Sequence, residues 1–358
     1  MNWAPIKLTY HVRAYAFGER LIPDRLGKTD APEGVIAETW EVSDYRDAPA
    51  AITEGPFAGR TLHDLVEAHP DELVGEGWRG PHFPLLDKFL DASHMLPVHL
   101  HADDETARAV YGEPHGKTEA WHILWCAPDA TILTGIRPGL SHEQLTGLFK
   151  RQEYDAAMFR HALHPGDTVY VPGGILHAFG PDTLIFEVQQ TSDLGNTVMP
   201  TDLFGNELSE EVWDANIAAT LAELKTHVVP VPNPGLERPG VAPANRYVVG
   251  AAGPYFAIER WTLAAPHHEP SHPWRCITVS NVGDPIAIRW NGGETGLGRA
   301  ESCILPAAIG EVTIDPLGGA GDLIVCYVPD LERDVVAPLR AAGHADEAIR
   351  ALGDVPVG

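Results

Sequence analysis

The stretch Gly166-Asp167-Thr168-Val169-Tyr170-Val171-Pro172-Gly173-Gly174-Ile175-Leu176-His177 decides how this chain is read. An apolar strand runs into a Pro-Gly-Gly bend and ends on a histidine, and the glycines let the backbone turn close to whatever that histidine faces. Upstream, His99-Leu100-His101 places two imidazoles at i and i+2. On a strand alternate side chains share a face, so both rings point into one cavity. Glu119 lies in His115-Gly116-Lys117-Thr118-Glu119-Ala120-Trp121, directly before the strand-like Trp121-His122-Ile123-Leu124-Trp125. Three imidazoles and one carboxylate, His99, His101, His177 and Glu119, form a borderline N/O donor set suited to zinc, iron, manganese or cobalt. An H-x-H pair alone is weak evidence, since surface or packed histidine pairs are commoner. The combination is what carries weight.

Composition sets the limits around that set. A chain of 358 residues is long enough for two domains and a sizeable core, and 44% hydrophobic with 21% charged residues is ordinary for a globular protein. The formal net charge of −25 makes nucleic acid and anionic membrane surfaces electrostatically repulsive partners, and its plain meaning is a well-solvated surface. Cys126, Cys276, Cys303 and Cys326 are scattered without C-x-x-C spacing and read as buried thiols. The opening Met1-Asn2-Trp3-Ala4-Pro5-Ile6-Lys7 has no charged start followed by an apolar run, and no apolar segment reaches spanning length. The expected setting is the cytoplasm, without a membrane partner.

Along the chain, short strands and turns fill residues 1–60, with Ile36-Ala37-Glu38-Thr39-Trp40-Glu41-Val42-Ser43 alternating as a half-buried strand does. Helical segments are expected near 61–75, 141–160 and 206–225; the second comprises a capped helix from Ser141 and a shorter one over Glu153 to Phe159. Phe83-Pro84-Leu85-Leu86-Asp87-Lys88-Phe89-Leu90-Asp91-Ala92 is a buried strand carrying one lysine, which either snorkels to an edge or faces the cavity. Residues 228–245, rich in Pro and Gly, read as a linker between a metal-binding domain at 1–227 and a second domain at 246–358. In that second domain Ser302-Cys303-Ile304-Leu305-Pro306-Ala307-Ala308-Ile309-Gly310-Glu311 repeats weakly the shape of Val169 to His177, with no histidine at the ligand position. His267, His268 and His272 lack a carboxylate at matching spacing and read as surface histidines. Near the C-terminus a helix is expected at Val335 to Ala342.

H-x-H, a downstream Glu and G-D-x-x-Y-V-P-x-G-x-x-H together resemble the two-part signature of the cupin barrels. More narrowly, the chain resembles the type I phosphomannose isomerases, zinc-dependent mannose-6-phosphate isomerases. Four blocks in order carry the likeness: Glu38-Thr39-Trp40-Glu41-Val42-Ser43; Phe83 to Ala92 running into Val98-His99-Leu100-His101-Ala102-Asp103-Asp104-Glu105; Gly116-Lys117-Thr118-Glu119-Ala120-Trp121; and Ile185-Phe186-Glu187-Val188-Gln189-Gln190-Thr191-Ser192-Asp193. Phe256-Ala257-Ile258-Glu259-Arg260-Trp261 adds a fifth.

The resemblance implies a mainly β fold of two cupin-type (jelly-roll) barrels with a small helical insertion, the second barrel metal-free. It implies an aldose–ketose isomerase interconverting mannose 6-phosphate and fructose 6-phosphate through an enediol, with Zn2+ (or Mn2+, Fe2+ or Co2+) on His101, Glu119 and His177. Lys88 and Lys117 would line the substrate pocket, and Lys117, Glu187 and Asp193 would be the acid–base candidates. Glu187 could equally orient a ligand histidine, and Asp193 could cap a turn. Next to a cation, Lys117 is expected to have a lowered pKa. Three positions depart from the family: His99 stands where it has Gln, Pro97 where it has a small hydroxyl residue, and Thr197 where it has an arginine. The last two belong to the phosphosugar's surroundings. An isomerase or epimerase of a non-phosphorylated sugar, an iron oxygenase and a non-catalytic sugar-binding cupin therefore remain alternatives. The partner is a small sugar or sugar phosphate and the assembly a monomer or homodimer.

Overall fold

The computed structural model describes residues 2–240 and 242–358; Met1, in the N-terminal stretch, and Val241, within the Pro- and Gly-rich linker, lie outside the described residues. The protein is mainly β. Strands in the first part are β1 (Ile6–Lys7), β2 (His11–Arg13), β3 (Glu38–Val42), β4 (Leu85–Ala92), β5 (His99–Leu100) and β6 (Glu119–Cys126). There follow β7 (Thr131–Ile136), β8 (Met158–Ala162), β9 (Thr168–Val171), β10 (His177–Gly180), β11 (Thr183–Gln190) and β12 (Asn196–Thr197). The second part supplies β13 (Leu236–Arg238), β14 (Arg246–Ala252), β15 (Ala257–Leu263), β16 (His267–Glu269) and β17 (Ile277–Asn281). It ends with β18 (Ile286–Trp290), β19 (Gly293–Leu297), β20 (Ser302–Leu305), β21 (Val312–Pro316) and β22 (Gly321–Tyr327).

These strands form two sheet pairs. The first has the orders β2-β3-β4-β11-β6-β9 and β12-β5-β10-β7-β8, the second β13-β14-β15-β22-β17-β20-β1 and β16-β21-β18-β19. From β13 to β20 the second pair repeats the first strand for strand, with β15 in the place of β4, β16 in that of β5 and β21 in that of β10. The N-terminal β1 crosses to pair with β20, and β13, inside the Pro- and Gly-rich segment, pairs with β14.

Period-two alternation sorts each strand between two cores. On β4, Leu85 and Phe89 enter a cluster shared by both halves with Ile258, Ile304, Ile324 and Cys326. Lys88 and Leu90 point the other way, into a cavity between the first two sheets. Asp87 lies on the shared-core strand face, fully buried. All four cysteines are buried free thiols. Trp121, Ile123, Val171 and Phe179 fill the floor of the first pair.

Helices occur at the expected segments, Leu62–Ala68 with Pro70–Leu73, His142–Lys150 with Tyr154–Ala157, and Glu210–Glu223. Thr61 starts the first with a reciprocal capping box to Asp64, and Ser141 starts the third with one to Gln144. The expected helix over Glu153 to Phe159 stops at Ala157. Met158 onward is drawn into β8 because its backbone groups pair with β7. At the C-terminus Leu331–Val336 is a wider π-type turn leading into Ala337–Ala341, and Asp346–Arg350 follows. No helix of the described residues is long and apolar enough to cross a membrane.

Candidate metal centre and sugar pocket

His99 on β5 and His177 on β10 are direct cross-strand partners. His101, two residues past His99, turns its ring to the same side, and Glu119 opens β6 opposite. The structure thus brings together all four residues that the sequence singled out as ligands. His99 Nε2 lies 3.1 Å from His101 Nε2 and 3.0 Å from His177 Nε2. Glu119 Oε1 is 3.0 Å from His177 Nε2, and its Oε2 is 3.5 Å from His101 Nε2.

The opposite ring nitrogens define the tautomers. Each Nδ1 faces a backbone carbonyl, that of Pro97 at 2.7 Å, Leu194 at 2.6 Å and Ile175 at 2.8 Å. A carbonyl only accepts, so each Nδ1 carries the proton and donates, and in a neutral ring that reserves the Nε2 lone pair for a ligand. Burial pushes the His99 pKa down to about 3 and holds His101 well below its ordinary value. Two lone pairs 3 Å apart repel. A cation between them turns that repulsion into ligation, and the carbonyl contacts are the orienting interactions that metal-bound histidines use. The donor set therefore fits a divalent ion.

Glycines set how closely these stretches approach. A Cβ at Gly116 would sit 2.4 Å from the Asp103 carbonyl carbon, and one at Gly173 2.7 Å from Asp103 Cα. Both residues press on the backbone just after His101, so the glycine in each motif is a steric requirement of bringing three ligand-bearing segments together.

Around the centre lies a cavity of about 170 Å³, below the roughly 300 Å³ common for ligand sites, so a sugar would displace most of its water. Lys88, Lys117, Glu187 and Asp193 all line it. Lys88 on β4 pairs across the ladder with Glu187 on β11, 3.3 Å from its Oε1, and also lies 3.6 Å from Glu38. It faces the cavity rather than an edge. Lys117 Nζ is 2.9 Å from Glu119, 3.5 Å from Glu187 and 3.0 Å from His101 Nε2.

The lowering of the Lys117 pKa expected beside a cation meets an opposing pull from the protein's own carboxylates. Burial does oppose its charge, but the carboxylates of Glu119, Glu187 and Asp193 outweigh burial and hold it above the ordinary lysine value. Glu187 and Asp193 are both raised, chiefly by burial, against the pull of the two lysines. They differ in commitment. Glu187 is buried between Lys88 and Lys117, whereas Asp193 is open to the water of the pocket.

Sequence reasoning did not single out Glu38, Tyr15 or Asn196, which also line the pocket. Glu38 had a readable signal: in Glu38-Thr39-Trp40 the two outer residues share a strand face, and Trp40 Nε1 donates to Glu38 at 2.6 Å. Pro97 and Thr197 line the cavity as well. Of the cations considered for the missing arginine, Arg20 is occupied with the carbonyls of Pro32 and Gly34. Arg13 stacks over Trp40 at 4.3 Å, close enough to act on Asp193.

The histidines of the second half also need correction. His267 is buried, and its carboxylate partner is Glu269, two residues on and on the same face of β16. Glu269 binds His267 Nε2 and His272 Nε2, each at 2.8 Å. Only His268 is exposed, as expected.

Comparison with known proteins places most of the chain among sugar-phosphate isomerases. The chain is 30% identical over 284 residues to the "Probable mannose-6-phosphate isomerase GmuF" of Bacillus subtilis, covering 79% of this chain and 88% of the relative. To mannose-6-phosphate isomerase ManA of the same organism it is 38% identical over 162 residues, 45% of this chain and 50% of the relative. The crystal structure of the Bacillus subtilis mannose 6-phosphate isomerase superposes with a TM-score of 0.79 at 26% identity, covering 90% and 99% of the two chains. No family model matches the chain.

Proposed function

The chain belongs to the mannose-6-phosphate isomerase family, and from that premise we propose that it interconverts mannose 6-phosphate and fructose 6-phosphate as a metal-dependent aldose–ketose isomerase. The observation that carries this is the convergence of three Nε2 atoms and one carboxylate in a pocket between the first two sheets. The two sheet pairs are two cupin-type jelly-roll barrels in this reading, supported by their matching strand order. The first, within 1–227, holds the ion, and the second, 246–358, is metal-free. Zinc is the ion proposed: the N/O set suits it, and a solved mannose 6-phosphate isomerase of 16% identity and TM-score 0.69 is described as bound with zinc and yttrium. The proposed setting is cytoplasmic.

The reaction moves a proton between C1 and C2 and shifts a carbonyl. A divalent ion held by His99, His101, Glu119 and His177 supplies Lewis-acid stabilisation of the negative charge that develops on the sugar oxygens. Lys117, set among the carboxylates of Glu119, Glu187 and Asp193, is assigned to donate hydrogen bonds to those oxygens. Lys88 and Glu187 neutralise one another and hold Lys117 in place. Asp193 is the carboxylate left uncommitted, its pKa raised above the ordinary value by burial, and it is assigned the proton transfer. On this assignment Asp193→Asn lowers kcat by about 10²-fold or more with KM little changed, and it stops exchange of the C2 hydrogen in deuterated water. Unchanged exchange in that variant would remove Asp193 from the role.

A non-phosphorylated sugar is the second reading, and one observation favours it. The pocket presents Glu38, Glu119, Glu187 and Asp193 against Lys88 and Lys117, with Pro97 and Thr197 at the family's polar positions. That balance repels a phosphate dianion unless the ion and Arg13 offset it. Comparing kcat/KM for mannose 6-phosphate with free mannose and lyxose separates the readings.

A further inference from the structure

Outside the pocket, three segments distant in sequence bring another donor set together. Asp44 follows β3, His63 lies in the first turn of the Leu62–Ala68 helix, and His82 precedes β4. One donor atom from each falls within 4.8 Å of the others. None of the three lines the sugar pocket. We propose that Asp44, His63 and His82 bind a second divalent transition-metal ion of the zinc class, which ties these segments together.

The geometry is that of a built site with one position open. Asp44 is fully buried, and its Oδ2 accepts the Phe83 backbone N–H at 2.7 Å, which fixes the carboxylate beside His82. Its Oδ1 is 3.0 Å from His63 Nδ1, and its Oδ2 is 3.8 Å from His82 Nδ1. Donors placed tetrahedrally around zinc at its usual bond lengths are about 3.4 Å apart, so these spacings need little adjustment. His82 Nδ1 is buried without a hydrogen-bond partner, an orphaned atom that an ion would satisfy.

On its far side His63 Nε2 lies 3.5 Å from the exposed carboxylate of Glu67, one helical turn on. The capping box of Thr61 and Asp64 holds that turn, and so His63, in place. With 37% of its side chain exposed, His63 leaves the site open to entry and to a water ligand.

The test is metal stoichiometry. Protein stripped with chelator, reloaded with Zn2+ at micromolar concentration and desalted is expected to retain two equivalents by atomic absorption. The His63→Ala/His82→Ala double variant is expected to retain one, with isomerase activity intact. His99→Ala/His177→Ala is expected to keep the other. Co2+ loading of that second variant gives a visible d–d spectrum that is lost when His63→Ala is added. Failure of His99→Ala/His177→Ala to retain an equivalent overturns the proposal, whatever the wild-type protein retains. So does a second equivalent that survives His63→Ala/His82→Ala, or one washed away on desalting.

Discussion

The two sheet pairs share an order of strands but solve opposite problems with their buried polar groups. In the first, His99, His101 and His177 turn their Nε2 atoms toward one another, and the Lys117 ammonium, 3.0 Å from His101 Nε2, reaches that ring but leaves the 3.0 Å approach of His99 to His177 to be bridged. In the second, β16 stands where β5 does and also carries inward groups at i and i+2, here His267 and Glu269. Each of those is partnered within the protein. His267 Nε2 meets Glu269, its Nδ1 meets the Tyr247 hydroxyl at 2.7 Å, and Glu269 also takes His272. Glu259 beside them accepts from Arg238, from Trp261 Nε1 and from the Tyr327 hydroxyl. At β21, which replaces β10, the inward residues opposite β16 are Val312 and Ile314 rather than a histidine. His267 and Glu269 satisfy one another, which favours a structural role for that pair. The first interior, with its approach left to be bridged, recruits an ion.

The contrast can be broken by deleting one histidine from each side. His177→Ala is expected to lose the bound ion and lower kcat by roughly a thousandfold or more, measured with metal content alongside. Full activity with the ion retained would erase the distinction.

A second test probes the core the two halves share. Asp87 is buried there, and burial raises its pKa to about 7 against the pull of the Thr278 hydroxyl. Since the unfolded chain releases this proton near pH 4 and the folded one holds it, stability falls as pH rises from about 4 to about 7, by up to about 4 kcal/mol. Urea unfolding across that range should show the fall, and Asp87→Asn should flatten it. An equally steep fall in the variant would place the titration elsewhere.

The third and smallest effect is His267→Ala. It should leave kcat unchanged while costing about 3 kcal/mol of stability, because Glu269 keeps its charge and loses a buried partner. A loss of activity without a loss of stability would assign the second interior a role in the reaction.

What the sequence made legible follows from how local each feature is. His99 and His101 sit two apart on a strand, and the bend before His177 is written in consecutive residues, so that set was readable. Lys88 was visible as a charge in an apolar strand, though only its ladder partner Glu187 showed which way it points. The weak echo of Val169 to His177 in Ser302 to Glu311 corresponds to β20, which occupies the place of β9 in the strand order. Met158 and Phe159 were misread as helical because pairing with β7 is a long-range fact. The burial of His267 and the meeting of Asp44, His63 and His82 depend on tertiary contacts, and no spacing announces them. Lys117 was judged by its distance from a cation, while the three carboxylates that set its charge come from separate strands and turns.

The most direct test is anomalous X-ray scattering at the zinc edge from crystals of active, zinc-loaded enzyme. The expected result is a peak about 2.0–2.2 Å from Nε2 of His99, His101 and His177 and from the Glu119 carboxylate. An active enzyme with no peak among those four side chains would contradict the account.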